Sequence, residues 1–319
     1  MKKALICLFL LLSSLFLFAE EALKSVRIGL LNGPSCIPAA YLIDNCKEID
    51  GAKVTSEKFA DVPALLPKML KNEIDIGFMP LNVAAKVYNS SGAIVCCGIT
   101  GTGNLVLVTK KKDVKRFADL KGKTIYVAGQ GSTPEYMFKY LIEKNEMKVN
   151  TRDGVVLAFS IPTAQLVPQM LSDRIPYILV PEPFATIAQM KSKEVVVAID
   201  LQSEYEYFAG SGSTYPLTVM VARKGFAEKN ADLLDAFLRK YEESYNWTIR
   251  YPKVAGELCE KLEFGLAAGV VSNSIPKANY VFVSSEYERN EAEKLLNIFL
   301  QYDEASIGGK LPDDGFYFR

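Results

Sequence analysis

Short apolar runs and polar turns alternate along most of this chain. Runs of strand length fall at 26–31, 54–59, 74–78, 93–98 and 105–109, with helical spacing between them at 37–46, 63–70 and 83–88. The alternation returns at 124–128, 155–159 and 195–199, with a helix expected over 135–144. Such runs suit buried strands, and their alternation with helices predicts an α/β architecture with mostly parallel sheets. A further strand at 215–222 is expected to return to the first half of the fold. After it the pattern changes to amphipathic helices at 230–251, 252–262 and 286–302. Leu233, Leu234, Phe237, Leu238 and Tyr241 carry the apolar stripe of the first, Asn230 is placed to cap it, and Trp247 reads as core. The aromatic tail, 311–318, is expected to dock on the first half.

One stretch occurs twice. Residues 65–82 and 166–183 align at a constant offset of 101, and six of 18 positions are identical. Four more pair apolar with apolar: Leu66 with Val167, Ile76 with Tyr177, Phe78 with Leu179 and Met79 with Val180. A period of roughly 100 residues is too long for a solenoid and points to two similar lobes. Each copy ends a short helix, turns, runs through a strand, and opens a new helix with a proline, which a first helical position tolerates. In α/β sheets, ligands sit at the turns after the strands' carboxyl ends. Pro80-Leu81-Asn82 and Pro181-Glu182-Pro183 are therefore candidate walls of one site, although ordinary strand–helix turns would leave the same pattern. The charge run Lys110-Lys111-Lys112-Asp113 breaks the apolar rhythm, and the first crossing between lobes is expected near it. That gives one lobe from 24–109 with 217–319 and a second from 110–216. Two crossings make a hinge that can close around a ligand.

The length, 319 residues, accommodates two lobes, and 49% hydrophobic with 23% charged residues is ordinary for a soluble protein. A formal net charge of zero gives no reason to expect a nucleic-acid or anionic-membrane partner. Residues 1–19 have a basic start, an apolar core and a small last residue, as in a secretory signal cleaved after Ala19. The apolar run is short for a membrane span, and Cys7 comes too early in it to be a lipid-attachment site. The expectation is an exported, periplasmic, soluble protein. Five cysteines would remain. Cys36 and Cys46 lie about 15 Å apart along a helical segment, beyond disulfide reach. Cys96 and Cys97 point to opposite faces of a strand. All five read as mostly buried thiols. The chain has no histidine. This removes Ser-His and Cys-His nucleophile systems, the commonest general base and histidine-based metal sites. Neither a cofactor nor a metal is expected.

Gly129-Gln130-Gly131-Ser132-Thr133-Pro134 is the most suggestive loop. Its glycines allow close backbone approach, and Ser132 or Thr133 can cap the next helix or donate to an anion at its N-terminus. A tight turn with an N-cap is the plainer reading. A dinucleotide fingerprint would need glycine at Pro134. Gly122-Lys123-Thr124 resembles the end of a phosphate-binding loop, but Phe117 stands where glycine is required and the tripeptide precedes its strand. Nucleotide hydrolysis is rejected. Asn32, Gly33, Ser35, Pro80, Asn82, Thr102 and Asn104 fall in strand-end turns of the first lobe. Gln130, Gly131, Ser132, Thr133, Ser160 and Glu182 fall in those of the second. Each alone suits a cap or turn; their convergence on one cleft would suit a ligand. Glu182 could meet an amino group or simply favour a helix start. Tyr215, Tyr136, Phe184 and Phe59 could wall a ring or belong to the core.

Several motifs in order then carry a family resemblance: the signal; Asp75-Ile76-Gly77-Phe78-Met79-Pro80-Leu81-Asn82-Val83-Ala84-Ala85-Lys86-Val87-Tyr88-Asn89; Asp119-Leu120-Lys121-Gly122-Lys123-Thr124-Ile125-Tyr126 with Gly129–Tyr136; Val180-Pro181-Glu182-Pro183-Phe184; and Ile307-Gly308-Gly309-Lys310-Leu311-Pro312-Asp313-Asp314. Together they resemble the solute-binding proteins of ABC importers in the nitrate/taurine/sulfonate and thiamine-pyrimidine group. The resemblance implies a two-lobed type II periplasmic-binding fold with two hinge crossings; the expectation is a monomer without catalysis. It also implies capture of a small-molecule ligand by closure and delivery to a membrane permease with a separate ATPase. By position it supports 32–35, 79–82, 100–104, 129–133 and 181–183 as the site. The same superfamily holds a fungal-type thiamine-pyrimidine synthase that uses a histidine and clustered cysteines. This chain has no histidine. It also holds cytoplasmic enzymes of menaquinone biosynthesis, against which the export signal argues. The alternatives kept open are an enzyme on the same fold, such as a lyase with Glu182 or Asp61 as base, and a sensory module that presents ligand to a receptor.

Overall fold

The structure, a computed structural model, describes residues 25–318, so the expected leader lies outside the described residues. Ten strands lie close to where the pattern puts them, and β2 and β12 were not expected: β1 (Ser25–Leu31), β2 (Glu48–Ile49), β3 (Ala52–Phe59), β4 (Ile76–Pro80), β5 (Ile94–Gly101), β6 (Leu105–Thr109), β7 (Thr124–Val127), β8 (Val156–Ala158), β9 (Tyr177–Pro181), β10 (Val196–Asp200), β11 (Thr218–Arg223) and β12 (Tyr280–Ser284). They form a seven-stranded sheet, β12-β5-β11-β4-β1-β3-β2, and a five-stranded sheet, β10-β6-β9-β7-β8. The central strands β4, β5 and β9 are buried on both sides, as expected of a sheet covered by helices, whereas β3 is polar and largely exposed.

The sheets share an order. Strands β5-β11-β4-β1-β3 of the first correspond to β10-β6-β9-β7-β8 of the second. They are mixed, not mostly parallel. β1 runs parallel to β3 and β4, and β7 to β8 and β9. β11 is antiparallel to β4 and β5, and β6 to β9 and β10. Within the shared five-strand order the reversed strands are the two that arrive from the other sheet, so each enters from the opposite end; at the margins of the first sheet β12 and β2 are antiparallel as well.

This corrects the expected first crossing. β6, placed at the end of the first lobe in the division 24–109, pairs into the second sheet. The chain crosses at Thr102-Gly103-Asn104, and the charge run lies at the far end of β6. There Lys110 meets Asp173 at 2.8 Å, and Lys123 meets Asp113 at 2.7 Å, within the second lobe. The return crossing precedes β11, as the sequence suggests. The helix Arg289–Tyr302, expected in the first lobe, also packs on the second. Tyr136 lies edge-on to Phe299 at 5.0 Å and its hydroxyl donates to Asp303 Oδ2 at 3.0 Å. A single apolar cluster accordingly runs from Met79 and Leu81 through Leu105 and Leu107 to Leu295 and Phe299.

At the edge of the first sheet away from the crossings, Asp75 is 1% exposed and held by two arginines. Arg27 reaches it through Nε and a terminal nitrogen, each at 2.7 Å, and Arg223 at 2.9 Å. The five described cysteines are free, four of them buried. The tail docks on the first sheet: Phe316 is fully buried and the Phe318 N–H donates to Cys96 O at 2.8 Å. Two details depart from expectation. The Asn230 side chain does not cap its helix; its amide donates back to Phe226 O at 3.1 Å. Trp247 is half-buried, its ring stacked on Tyr41 at 4.6 Å.

Candidate ligand-binding site between facing sheet edges

Strand register lines up one end of each sheet, the carboxyl ends of β1, β3, β4, β5, β7, β8 and β9 beside the amino ends of the reversed strands β6, β11 and β12. On the first sheet Pro80, Thr218, Gly101 and Tyr280 sit side by side, and Leu31 lies beside Phe59. On the second, Leu105 pairs with Pro181, and Tyr126 lies between Ile178 and Ala158. Three residues separate Gly101 from Leu105, so the two edges face each other across the crossings. The turns that follow these strand ends hold most of the residues singled out from sequence.

A chain of hydrogen bonds ties the middle of this region together. The Leu81 N–H donates to Leu217 O at 3.2 Å, and the Leu217 N–H to Gly101 O at 2.9 Å. The Thr102 N–H donates to Asn279 O at 3.0 Å, and the Thr102 hydroxyl to the same oxygen at 3.4 Å. Asn104 Nδ2 donates to Ala278 O at 3.2 Å, while the Asn104 carbonyl accepts from the Glu182 N–H at 3.3 Å. Asn279 Nδ2 donates to Gly103 O. The Tyr280 hydroxyl donates to Pro34 O at 2.9 Å and so brings in the first turn. Beside it, Lys277 Nζ reaches Gln189 Oε1 of the second lobe at 3.0 Å.

The residues brought together are therefore Pro80, Asn82, Thr102, Asn104 and Glu182, with the 32–35 turn joined through Tyr280. Asn82 is 4% exposed, and its Oδ1 is buried without a partner; Asn104 Oδ1 is likewise buried and unpartnered. Glu182 is 3% exposed and caps the helix Phe184–Lys191, its Oε2 accepting from the Thr186 N–H at 3.1 Å. Burial pushes the Glu182 carboxyl above its usual range, opposed by the bonds from Thr186 and the charge of Lys277. Asn32 is exposed, Gly33 and Ser35 half-buried. Gly33 adopts φ +116°, a conformation that favours glycine, while its N–H donates to Phe264 O at 3.3 Å.

The remaining candidates are held by contacts of their own. Tyr215 is fully buried, edge-on to Tyr205 at 5.4 Å, and packs so closely on the crossing that a Cβ on Gly103 would lie 2.6 Å from its ring. It is core of the return crossing, and its hydroxyl has no partner. The loop carrying Gln130, Gly131, Ser132 and Thr133 satisfies itself. The Ser132 hydroxyl donates to Gly129 O at 2.6 Å instead of capping the helix Thr133–Lys144. The Gly131 N–H is taken by Glu135 Oε2 at 2.7 Å. Ser132-Thr133-Pro134-Glu135 has the spacing of a capping box, a signal for the glutamate's role. Gln130 and Gly131 are exposed and Thr133 is buried. Sequence reasoning missed Lys277, Asn279 and Tyr280. The run Tyr280-Val281-Phe282-Val283-Ser284 was the available sign of a strand there.

The two sheets and their crossings define the two-lobed periplasmic-binding fold. Residues 19–262 match the NMT1-like family, and the chain belongs to it. Its structure is similar to an ABC transporter from Parabacteroides distasonis, with TM-score 0.79 and 25% identity over 93% of this chain and 99% of that one. It is also similar to the periplasmic aliphatic sulphonate binding protein SsuA from Escherichia coli, with TM-score 0.70 and 17% identity over 91% and 92%. The periplasmic nitrate-binding protein NrtA from Synechocystis gives TM-score 0.66 and 12% identity over 88% and 82%. No curated protein sequence matches the chain.

Proposed function

We propose that this protein is the exported substrate-binding component of an ABC importer. It captures a small polar or nitrogenous solute by closure of two lobes and hands it to a membrane permease driven by a separate ATPase. It acts as a periplasmic monomer after cleavage of the leader near Ala19. The observation that carries the reading is the pair of buried, unpartnered side-chain oxygens, Asn82 Oδ1 in the first turn of the helix Leu81–Ser91 and Asn104 Oδ1 in the crossing segment. A buried acceptor without a donor costs about 1–3 kcal/mol, a cost that a bound ligand removes. The resemblance to importer binding proteins over nearly the whole chain supports the same reading.

The test is a thermal-shift panel on mature protein that has been unfolded and refolded to strip carried ligand. The panel holds thiamine and its pyrimidine precursors, taurine and alkanesulfonates, nitrate, amino acids and purines. A ligand at 100 times its dissociation constant should add about 2.7 kcal/mol of stability. A hit recovered chemically unchanged, and weakened by Asn82→Ala, is the expected result. Conversion of the hit to a product would replace the receptor reading with an enzyme on the same fold.

A further inference from the structure

The two sheets share five strand positions but differ at one margin. In the first sheet β12 pairs antiparallel along the outer side of β5, with Tyr280 beside Gly101 and Ser284 beside Gly98. All eight residues of β5 are buried. In the second sheet β10 holds the position of β5, follows the helix Phe184–Lys191, and is the last strand on that side. Val196 and Val197 are 43% and 38% exposed, and Asp200 is exposed as well. Among the described residues, no hydrogen bond joins the backbone of Val196–Ile199 to anything but β6. Unpaired N–H and C=O groups along an open edge are a template for one more strand. The repeated architecture thus leaves vacant in the second lobe the slot that β12 fills in the first.

The surrounding charge says what kind of strand fits. Val196 pairs with Thr109, so the run that follows Thr109 lies at the amino end of β10. Lys110 is engaged there by Asp173 and Glu194, and Arg116 by Asp119. Lys111, Lys112, Lys115 and Lys193 are exposed, and among the described residues none of them has an ion pair. Asp200 and Glu204 stand at the other end of the strand. A groove of about 440 Å³ opens beside them, lined in part by Lys115, Ala198, Asp200 and Tyr207. A strand running antiparallel to β10 brings its own carboxyl end to the lysines. A second copy of this chain would bring the same lysines to the shared edge, so an acidic segment complements it better.

We propose that the free edge of β10 docks an extended segment of a partner protein, paired antiparallel as a sixth strand in the way β12 pairs with β5. Apolar residues of the segment cover Val196 and Val197, and carboxylates toward its carboxyl end meet Lys111, Lys112, Lys115 and Lys193. Main-chain hydrogen bonds supply the affinity, and these side chains set the choice of partner. The lysines stand at the end of β6 far from the crossings, away from the cleft.

The test is selection of random nine-residue peptides from a display library on the refolded mature protein, followed by fluorescence anisotropy of the enriched peptides. Sequences with alternating apolar residues and carboxylates toward the carboxyl end are the expected result. Alternate residues of a strand direct their N–H groups to opposite sides. Methylating every second backbone nitrogen of such a peptide should therefore abolish binding in one phase and leave it nearly unchanged in the other, with the protein itself untouched. Bound peptide should also slow hydrogen exchange within Val196–Ile199. The combined change Lys111→Gln, Lys112→Gln and Lys115→Gln should weaken binding about tenfold, the sum expected of three exposed ion pairs. Binding that survives methylation in both phases is adhesion to charge and overturns the added strand. Affinity unchanged in the lysine variant overturns the acidic partner. Self-association in sedimentation, with slowed exchange at the same amides, would replace the partner by a second copy. Enrichment of no peptide overturns the docking site.

Discussion

In the first lobe the helix Val62–Leu70 turns through Asn72 into β4; in the second, Thr163–Leu171 turns through Asp173 into β9. Every one of these bounds is offset by 101 residues, the offset at which the two stretches align. Leu65, Met69 and Ile74 are buried, and so are Leu166, Met170 and Ile175. Asn72 and Asp173 both take left-handed conformations, φ 62° and 59°. The two copies differ where a polar or proline residue enters. Asp75 gathers Arg27 from β1 and Arg223 from the returning strand β11. Its counterpart Pro176 has no N–H, and its carbonyl accepts from the Thr109 hydroxyl at 2.7 Å. After the strands, the first copy places Asn82, with a free acceptor, opposite Pro183, and the second places Glu182 opposite Leu81. The apolar scaffold is thus held in common, while the polar positions divide the work: an internal ion network in one lobe, a buried carboxylate at the cleft in the other.

The asymmetry at Asp75 gives the largest expected effect. Asp75→Ala leaves two arginines without their shared carboxylate. Removing one partner of a buried pair costs about 3–5 kcal/mol, and the partial exposure of Arg27 puts this case near the lower end. A urea midpoint shift of that size with unchanged slope is expected. A loss under about 1 kcal/mol would mean the network is only a surface pair.

The shared scaffold predicts the next effect. Met69→Ala and Met170→Ala each remove a fully packed side chain from equivalent positions and should each cost about 2–5 kcal/mol. The two methionines belong to separate apolar clusters, so their costs should add in the double variant to within about 0.5 kcal/mol. A large cost in one copy alone would reduce the repeat to a likeness of backbone.

Glu182 gives a smaller effect with a definite sign. Burial raises its folded-state pKa, with Thr186 and Lys277 opposing; Tyr280 also faces it. A raised carboxyl contributes stability below its unfolded pKa and loses it as pH rises through the folded value. Charged Glu182 therefore weakens the free protein at neutral pH. Glu182→Gln should raise the melting temperature at about pH 7, and that gain should fade toward about pH 3, below the unfolded pKa, where the carboxyl is neutral in both states. A gain that does not change with pH would show that ionisation is not its source.

The repeat was legible because apolar positions and Pro67 and Pro168 mark the same helix–strand unit twice. Sheet membership was not. Leu105-Val106-Leu107-Val108-Thr109 has the composition of its neighbours, and only long-range pairing assigns it to the second sheet. The lysine run that drew the boundary marks the far end of β6. The loop at 129–133 was visible as a loop, but the capture of the Gly131 N–H by Glu135 requires a backbone turn that glycines merely permit. The role of 277–280 rests on the carbonyls of Ala278 and Asn279, groups that every residue carries and no side-chain pattern reveals.

The finest distinction lies at the two left-handed turns. Asparagine and aspartate tolerate positive φ better than most residues, and glycine tolerates it at no steric cost but with a freer unfolded chain. In Asn72→Gly these terms nearly cancel, and the N–H still donates to Met69 O at 3.0 Å, so the change should stay within about 0.5 kcal/mol. Asp173→Gly meets the same backbone terms, its N–H bonded to Met170 O at 3.1 Å, but it also loses the carboxylate that Lys110 contacts at 2.8 Å. It should therefore be the less stable of the pair. The gap belongs to the ion pair, so it should narrow in about 1 M salt, where the screening length falls to about 3 Å. A gap that salt does not narrow would assign the difference to the turns themselves and make the two copies unequal in backbone as well as in charge.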